Sequence, residues 1–370
     1  MAQLGGYGGY GGYGGYGGYG GYGGYGGYGG YGGYGGYGGA SLGDVFANPL
    51  QLAALTASRD ATCNPSEPAR ECKKVGIGDG EQIDRWEPWV RSHLIQWELA
   101  CKVSFMQAEG DGVDGWTMSH DGKPLATVTR PDEEIFKKQV ALVLSWAELR
   151  QERAPEILTQ IDNQFAFVAA VTGLHPERHR WTTELLVNSI LFAVTAGMQF
   201  KHALACWRPH QFSANVQPMI TTPGHGSFPS GHSTQAFMLA YLMEGLLDLP
   251  ADAVTQLERQ AARIATNRVV AGVHFPVDSV AGRLLGKTLA EYVLARLGVE
   301  TTVTQRTFDG SKVTEGLDLN IVTQKVDATA PTSLFYLIGN PIDYSNVAVG
   351  SVLKVLYDRG ASERDALRCV

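Results

Sequence analysis

Apolar positions along this chain fall mostly at helical spacing. Trp86, Trp89, Val90, Leu94, Trp97, Cys101 and Phe105 recur about every three or four residues, which places them on one face of a helix. Pro131 opens a second helix, with Asp132, Glu133 and Glu134 in the first turn, where acids suit the positive end of the helix dipole. Ala154–Leu174 reads as a third. Pro176 opens a fourth, running to about Cys206; its apolar stretch Leu185–Phe200 is interrupted by Asn188, Ser189, Thr195 and Gln199 and reads as a buried core helix. Ser230–Leu247, Pro250–Ala271 and Pro276–Leu297 follow, the first stopped before Pro250 and the last at Gly298. Beyond Glu300 the character changes. Thr301–Thr307, Leu317–Val326 and Ser333–Ile338 are β-branched or apolar with turn residues between, and a last helix is expected near Val352–Tyr357. The predicted architecture is all-α: a helical-bundle catalytic domain over 84–300 and a small irregular or β appendage over 301–370. Before it lies a loop-rich connector over 41–83, with Pro65, Pro68 and Gly76-Ile-Gly-Asp-Gly80.

Composition changes the picture at one end only. The chain of 370 residues has 47 glycines and 16 tyrosines, and Gly5–Gly39 alone holds 24 of the glycines and 11 of the tyrosines. That stretch is a strict Gly-Gly-Tyr repeat. A left-handed helix with three residues per turn would set every tyrosine on one edge and leave two bare glycine faces, spanning roughly 110 Å at ~3.1 Å per residue. Bare faces let backbones of neighbouring chains approach and hydrogen-bond, which predicts a homo-oligomer or fibre. The alternative is a disordered low-complexity tail, because glycine is costly to order.

Net charge is −7 with a pI near 5.7, and no basic tract occurs, so no nucleic-acid partner is expected. No apolar run reaches the ~18 residues of a membrane span, so no transmembrane segment is expected. The N-terminus lacks the charged and apolar regions of a signal peptide, which makes a cytoplasmic location the default, with unconventional export open to a fibre-forming protein. The five cysteines (Cys63, Cys72, Cys101, Cys206 and Cys369) are scattered without a CxxC. They form neither a disulfide framework nor a zinc site, although Cys63 and Cys72 are close enough in sequence to bridge a loop.

Three short stretches within Lys201–Asp278 carry candidate chemistry. In Lys201-His-Ala-Leu-Ala-Cys-Trp-Arg208-Pro209 the cations are seven residues apart, close to two helical turns, so both project from one face before Pro209 ends the helix. In Phe228-Pro229-Ser230-Gly231-His232-Ser233-Thr234 the chain enters an apolar helix. Ser230 can cap it, Gly231 lets a ligand approach the backbone, and the unpaired N–H groups suit an oxyanion. In Asn267-Arg268-Val-Val-Ala-Gly-Val-His274-Phe-Pro-Val-Asp278, Asp278 falls in the first turn of the helix opened by Pro276. There it can bond one ring nitrogen of His274 and leave the other as a nucleophile or ligand. Read singly, these are solvated cations, a serine cap and a buried histidine. Read together, three cations, a helix start and two histidines suit a tetrahedral or trigonal-bipyramidal oxyanion. No acidic cluster is left for a divalent metal, and no cofactor is expected.

The set Lys-x6-Arg-Pro, Pro-Ser-Gly-His and Arg-x5-His-x3-Asp resembles the three-part signature of the superfamily that joins type-2 phosphatidic acid phosphatases, bacterial acid phosphatases and vanadium haloperoxidases. The resemblance covers about 80 residues and departs at Asn267, where the family usually has serine. It implies a helical-bundle core and two alternative chemistries. For a phosphatase of small phosphoesters it implies that His274 attacks phosphorus, that Asp278 orients it, and that His232 protonates the leaving oxygen and then activates water. Lys201, Arg208, Arg268 and the Ser230–Gly231 region would hold the equatorial oxygens. For a haloperoxidase it implies vanadate in the same pocket with His274 as its axial ligand. His225, seven residues before His232, resembles a histidine of bromide-oxidising haloperoxidases. Against this, only 23 residues separate Arg208 from His232 and 35 separate His232 from Arg268, a compactness that resembles acid phosphatases, as does Gly226-Ser227-Phe228. A scaffold with a weak site is the third reading. Gly282-Arg-Leu-Leu-Gly286-Lys287-Thr288 is one residue short of a phosphate-binding loop and lies inside an amphipathic helix, not after a strand, so it is not read as a nucleotide site.

Overall fold

A computed structural model describes residues 49–62, 80–110, 114–161, 164–315, 319–324, 326, 335–347 and 349–367. The Gly-Gly-Tyr repeat, Cys63, Cys72, Cys369 and most of the expected connector lie outside these residues. Two compact units divide the chain after Val90. Among its described residues the first contains helix α1 (Pro49–Thr62), a 3-10 turn over Gly80–Arg85 and the start of α2 (Pro88–Ala100).

The second unit, from Arg91, is mostly helical, as the apolar periodicity predicts, but it also contains a five-stranded sheet. Its strands are β1 (Val103–Gln107), β2 (Gly115–His120), β3 (Lys123–Thr129), β4 (Thr302–Phe308) and β5 (Tyr336–Asp343), in that spatial order. The all-α expectation is corrected on this point. Phe105 falls in phase with Trp97 and Cys101, yet it lies in β1, stacked 5.3 Å from Trp116 of β2. The β2–β3 hairpin turns at Asp121-Gly122, with φ of 53° and 76°, the conformation an Asp-Gly pair favours. Strand β4 pairs in parallel with β3, Ala126 opposite Arg306, and β5 runs antiparallel to β4. Segments on either side of residue 300 therefore share one sheet.

A parallel pair needs a long crossover, and here it holds most of the helices: α3 (Glu133–Trp146), α4 (Arg150–Thr159), α5 (Phe165–Thr172), α6 (Arg180–Leu204), α7 (Gly231–Leu246), α8 (Ala251–Val270) and α9 (Pro276–Arg296). The span expected to be one helix over 154–174 is two, α4 and α5. The last helices are α10 (Ser351–Arg359) and α11 (Ala361–Leu367). Asp132 caps α3 through a bond from Glu134 N, and Glu363 of α11 accepts from Trp181 N and Thr182 N at the start of α6. Such capping satisfies backbone donors that a helix leaves open.

Helices α7 and α9 form the centre and are buried on nearly every side. An added Cβ on Gly282 would stand 2.7 Å from Ser230 O, and one on Gly286 would stand 2.6 Å from Thr234 O. The near-miss phosphate loop is thus a packing face where two helices touch backbone to backbone. One stretch among the described residues, Arg180–Phe212, is long and apolar enough to cross a membrane by length and composition, contrary to the expectation from single runs. It includes α6, and 61% of its most apolar window is buried inside the fold, as a core helix requires. Within the second unit, buried Arg91 reaches Glu184 on α6 with two bonds of 2.6 Å, a bidentate pair.

Candidate active site

Lys201 sits in the last turn of α6. The helix ends at Leu204 because Ala205 takes a left-handed conformation, φ 49°. Arg208 therefore lies beyond the helix in extended backbone, not on the same helical face as Lys201. The two cations meet by another route, through the loop at 225–227. Lys201 Nζ donates to Gly226 O at 3.0 Å and Ser227 O at 2.8 Å. Arg208 donates to His225 O at 3.0 Å, Gly226 O at 3.3 Å and Val273 O at 2.7 Å. Gly226 has no room for a side chain, since a Cβ would meet Lys201 O at 2.9 Å. Both cations are 2% exposed, so carbonyl oxygens replace the water they have lost. Burial lowers the pKa of each; Arg208, held at about 10, stays charged at neutral pH. His225 Nδ1 lies 3.1 Å from Arg208 Nη2, and burial, with Lys201 next, takes its pKa down to about 4.

His274 follows α8 and precedes α9. Its Nδ1 donates to Asp278 Oδ2 at 2.8 Å. The same oxygen accepts Phe275 N at 2.9 Å, which caps α9, and a short bond from Ser227 Oγ. Ser227 Oγ also stands 3.3 Å from His274 Nδ1. Burial first, then the charges of Arg208 and Lys201, hold His274 well below its usual range. Its ring is neutral, with the proton on Nδ1 and the lone pair on Nε2. Burial raises the carboxyl of Asp278, opposed by the bonds from Ser227 and Phe275 N and by the two cations.

Ser230 is the N-cap of α7, its Oγ accepting Ser233 N at 3.4 Å, and its own N–H donates to Asp278 O at 2.9 Å. The second and third motifs are therefore joined backbone to backbone, while Ser227 N donates to Cys206 O at 2.9 Å and joins the first. Gly231 opens the helix, where N–H groups have no intrahelical partner and attract anions. His232 follows; its Nε2 lies 3.0 Å from the backbone carbonyl of Gln160, at the C-terminus of α4. A carbonyl only accepts, so the proton is on Nε2 and Nδ1 carries the lone pair. Burial, with Arg268 next, takes this histidine down to about 3.

Arg268, in the last turn of α8, donates from Nη2 to Ile157 O at 3.0 Å and Gln160 Oε1 at 3.2 Å. Asn267 does not turn toward the other motifs. Its Nδ2 donates to Glu156 Oε2 at 2.9 Å and Gln160 Oε1 at 3.0 Å, so its amide fastens α8 to α4. Sequence reasoning assigned no role to Ser227 and did not single out Gln160. Ser227 lies in the Gly226-Ser227-Phe228 stretch beside the second motif; the carbonyl of Gln160 acts through backbone, which residue type does not reveal.

An oriented neutral histidine beside buried cations and a helix start fits the class of proteins that bind a phosphate-like oxyanion. The sequence comparisons agree with that class. Residues 183–298, which include all three motifs, match the family model of the PAP2 superfamily. The chain is similar to an undecaprenyl-diphosphatase of Sulfolobus acidocaldarius, 31% identical over 105 residues, which cover 28% of this chain and 50% of that protein. It is also similar to a decaprenylphosphoryl-5-phosphoribose phosphatase of Mycobacterium tuberculosis, 35% identical over 74 residues, 20% of this chain and 39% of that one. The chain spans half or less of the length of these curated relatives.

Proposed function

We propose that this chain is a phosphatase that hydrolyses phosphate monoesters through a phosphohistidine at His274. The observation that carries the reading is the His274 Nδ1 to Asp278 Oδ2 bond of 2.8 Å, which reserves Nε2 for attack. In the first step Nε2 bonds to phosphorus as the ester P–O bond breaks, and the leaving oxygen takes a proton from His232. In the second, water attacks phosphorus, His232 takes its proton, and the P–N bond breaks to return His274 and inorganic phosphate. Because Gln160 O holds the proton on His232 Nε2, proton traffic runs through Nδ1. The free histidine is neutral; a dianionic substrate beside it favours the imidazolium that the first step needs. Lys201, Arg208, Arg268 and the α7 start stabilise charge on the equatorial oxygens without a metal. The phosphatase names of the two relatives support the reaction class. In the vanadate alternative the same residues would hold the anion, and His274 Nε2 would supply the bond to it. Hydrolysis of an aryl phosphate in the presence of a chelator is expected. Bromide oxidation by peroxide with added vanadate, without hydrolysis, would overturn this reading.

We also propose that Gly5–Gly39 mediates self-association, on the strength of its strict three-residue period. Light scattering of the full chain should give a larger particle than a chain beginning at Ala40; equal sizes refute it.

A further inference from the structure

The end of α4 lies outside all three motifs, yet it touches two of them. Gln160 is fully buried. Its side-chain oxygen accepts from Asn267 Nδ2 at 3.0 Å and from Arg268 Nη2 at 3.2 Å. Its backbone oxygen accepts from His232 Nε2 at 3.0 Å. One turn earlier, Ile157 O accepts from Arg268 Nη2 at 3.0 Å, and Glu156 Oε2 accepts from Asn267 Nδ2 at 2.9 Å. The amide orientation of Gln160 is determined by its partners. Both side-chain contacts are donors, and arginine cannot accept, so the atom facing them is the oxygen.

We infer that Gln160 is a positioning residue, which sets an anion-binding arginine and the acid/base histidine in register from a single turn of α4. This rests on the phosphatase reading of the site. Arg268 ends a helix and His232 begins another, and their bonds to one residue make their spacing independent of small movements between α7 and α8. The Gln160 side chain holds Arg268, so its loss should weaken contact with the phosphoryl oxygens. The backbone carbonyl is unchanged by substitution, so the tautomer of His232 survives. Asn267 completes the arrangement: with Oε1 shared between Arg268 and Asn267, an amide at 267 anchors the oxygen that the arginine needs.

A double-mutant cycle on the full-length protein tests the inference. Gln160→Met keeps the side-chain volume and removes the acceptor. It is expected to lower kcat/KM for an aryl phosphate by about 10- to 100-fold, the scale of a sub-ångström to ångström misplacement. Inhibition by inorganic phosphate should weaken by a similar factor, with the pH limb of His232 unmoved. Arg268→Met should lower both by more. The double variant should be no worse than Arg268→Met alone, because glutamine acts through the arginine. Losses that multiply, or a Gln160→Met protein with wild-type kcat/KM and phosphate inhibition, overturn the inference. Gln160→Ala serves in the same cycle should the methionine variant not fold. If Arg268→Met itself leaves hydrolysis and phosphate inhibition intact, it is the assignment of the pocket that fails, a result separable from the failure of Gln160.

Discussion

Replacing Gly286 by alanine should destabilise the protein and disable its site, even though alanine is the better helix former. A Cβ at 286 would lie 2.6 Å from Thr234 O and 3.0 Å from Met238 N, both backbone atoms of α7. Ordinary contact needs about 3.4 Å or more, so the gap must open by most of an ångström, and no side-chain rotation can supply it. Overpacking of this kind costs about 1–3 kcal/mol. The gain in helix propensity from Gly to Ala is at most about 1 kcal/mol. The steric cost wins, with a net loss near 1–2 kcal/mol. Gly197 of α6 is the internal control, since nothing lies within 4 Å of its added Cβ; Gly197→Ala should stabilise by about 0.5–1 kcal/mol. Urea denaturation midpoints at constant slope give both values. The displacement also reaches the chemistry, because Ser230 at the head of α7 bonds Asp278 O at the head of α9. Gly286→Ala should therefore lose at least about tenfold in kcat/KM. A Gly286→Ala protein as stable and active as the parent refutes the backbone-contact argument.

Three further outcomes follow from the site. Asp278→Asn should cut kcat/KM by about 10³-fold or more, since the amide no longer enforces the Nδ1–H tautomer of His274; steady-state kinetics on an aryl phosphate measure it. Ser227→Ala removes a donor to the Asp278 carboxylate and should lower kcat by about 10-fold with little change in KM, the scale of a hydrogen bond to a charged group. Stability should fall as pH drops from about 6.5 toward 4. His120, His225 and His232 are held at about 4, about 4 and about 3, chiefly by burial. The unfolded chain, with histidines near ~6.5, then binds more protons than the folded one across that window, and stability rises with pH. The raised carboxyl of Asp278 opposes this trend but does not match three histidines. A urea midpoint at pH 5 equal to that at pH 7 contradicts the prediction.

Much of this was legible in the residues. Helices α7, α8 and α9 begin and end within a residue or so of positions set by Ser230, Pro250, Pro276 and Gly298, because caps and prolines act locally. The pairing of His274 with Asp278 follows from their spacing at a helix start. What was hidden is non-local. Ala126 pairs with Arg306 across the whole helical crossover, and no local pattern contains that contact. Phe105 continues a helical phase by coincidence and belongs to a strand. Arg208 leaves the helix of Lys201 because Ala205 adopts a conformation unusual for alanine, and the bonds of the loop at 225–227 hold both cations there.

The central claim is that His274 accepts a phosphoryl group. Rapid acid-free quenching of the protein during turnover of an aryl phosphate, followed by peptide mass spectrometry, tests it directly. The account predicts an acid-labile, base-stable phosphoryl adduct on His274, absent from His274→Ala. Turnover of the ester with no adduct on His274, or with hydrolysis intact in His274→Ala, would contradict it.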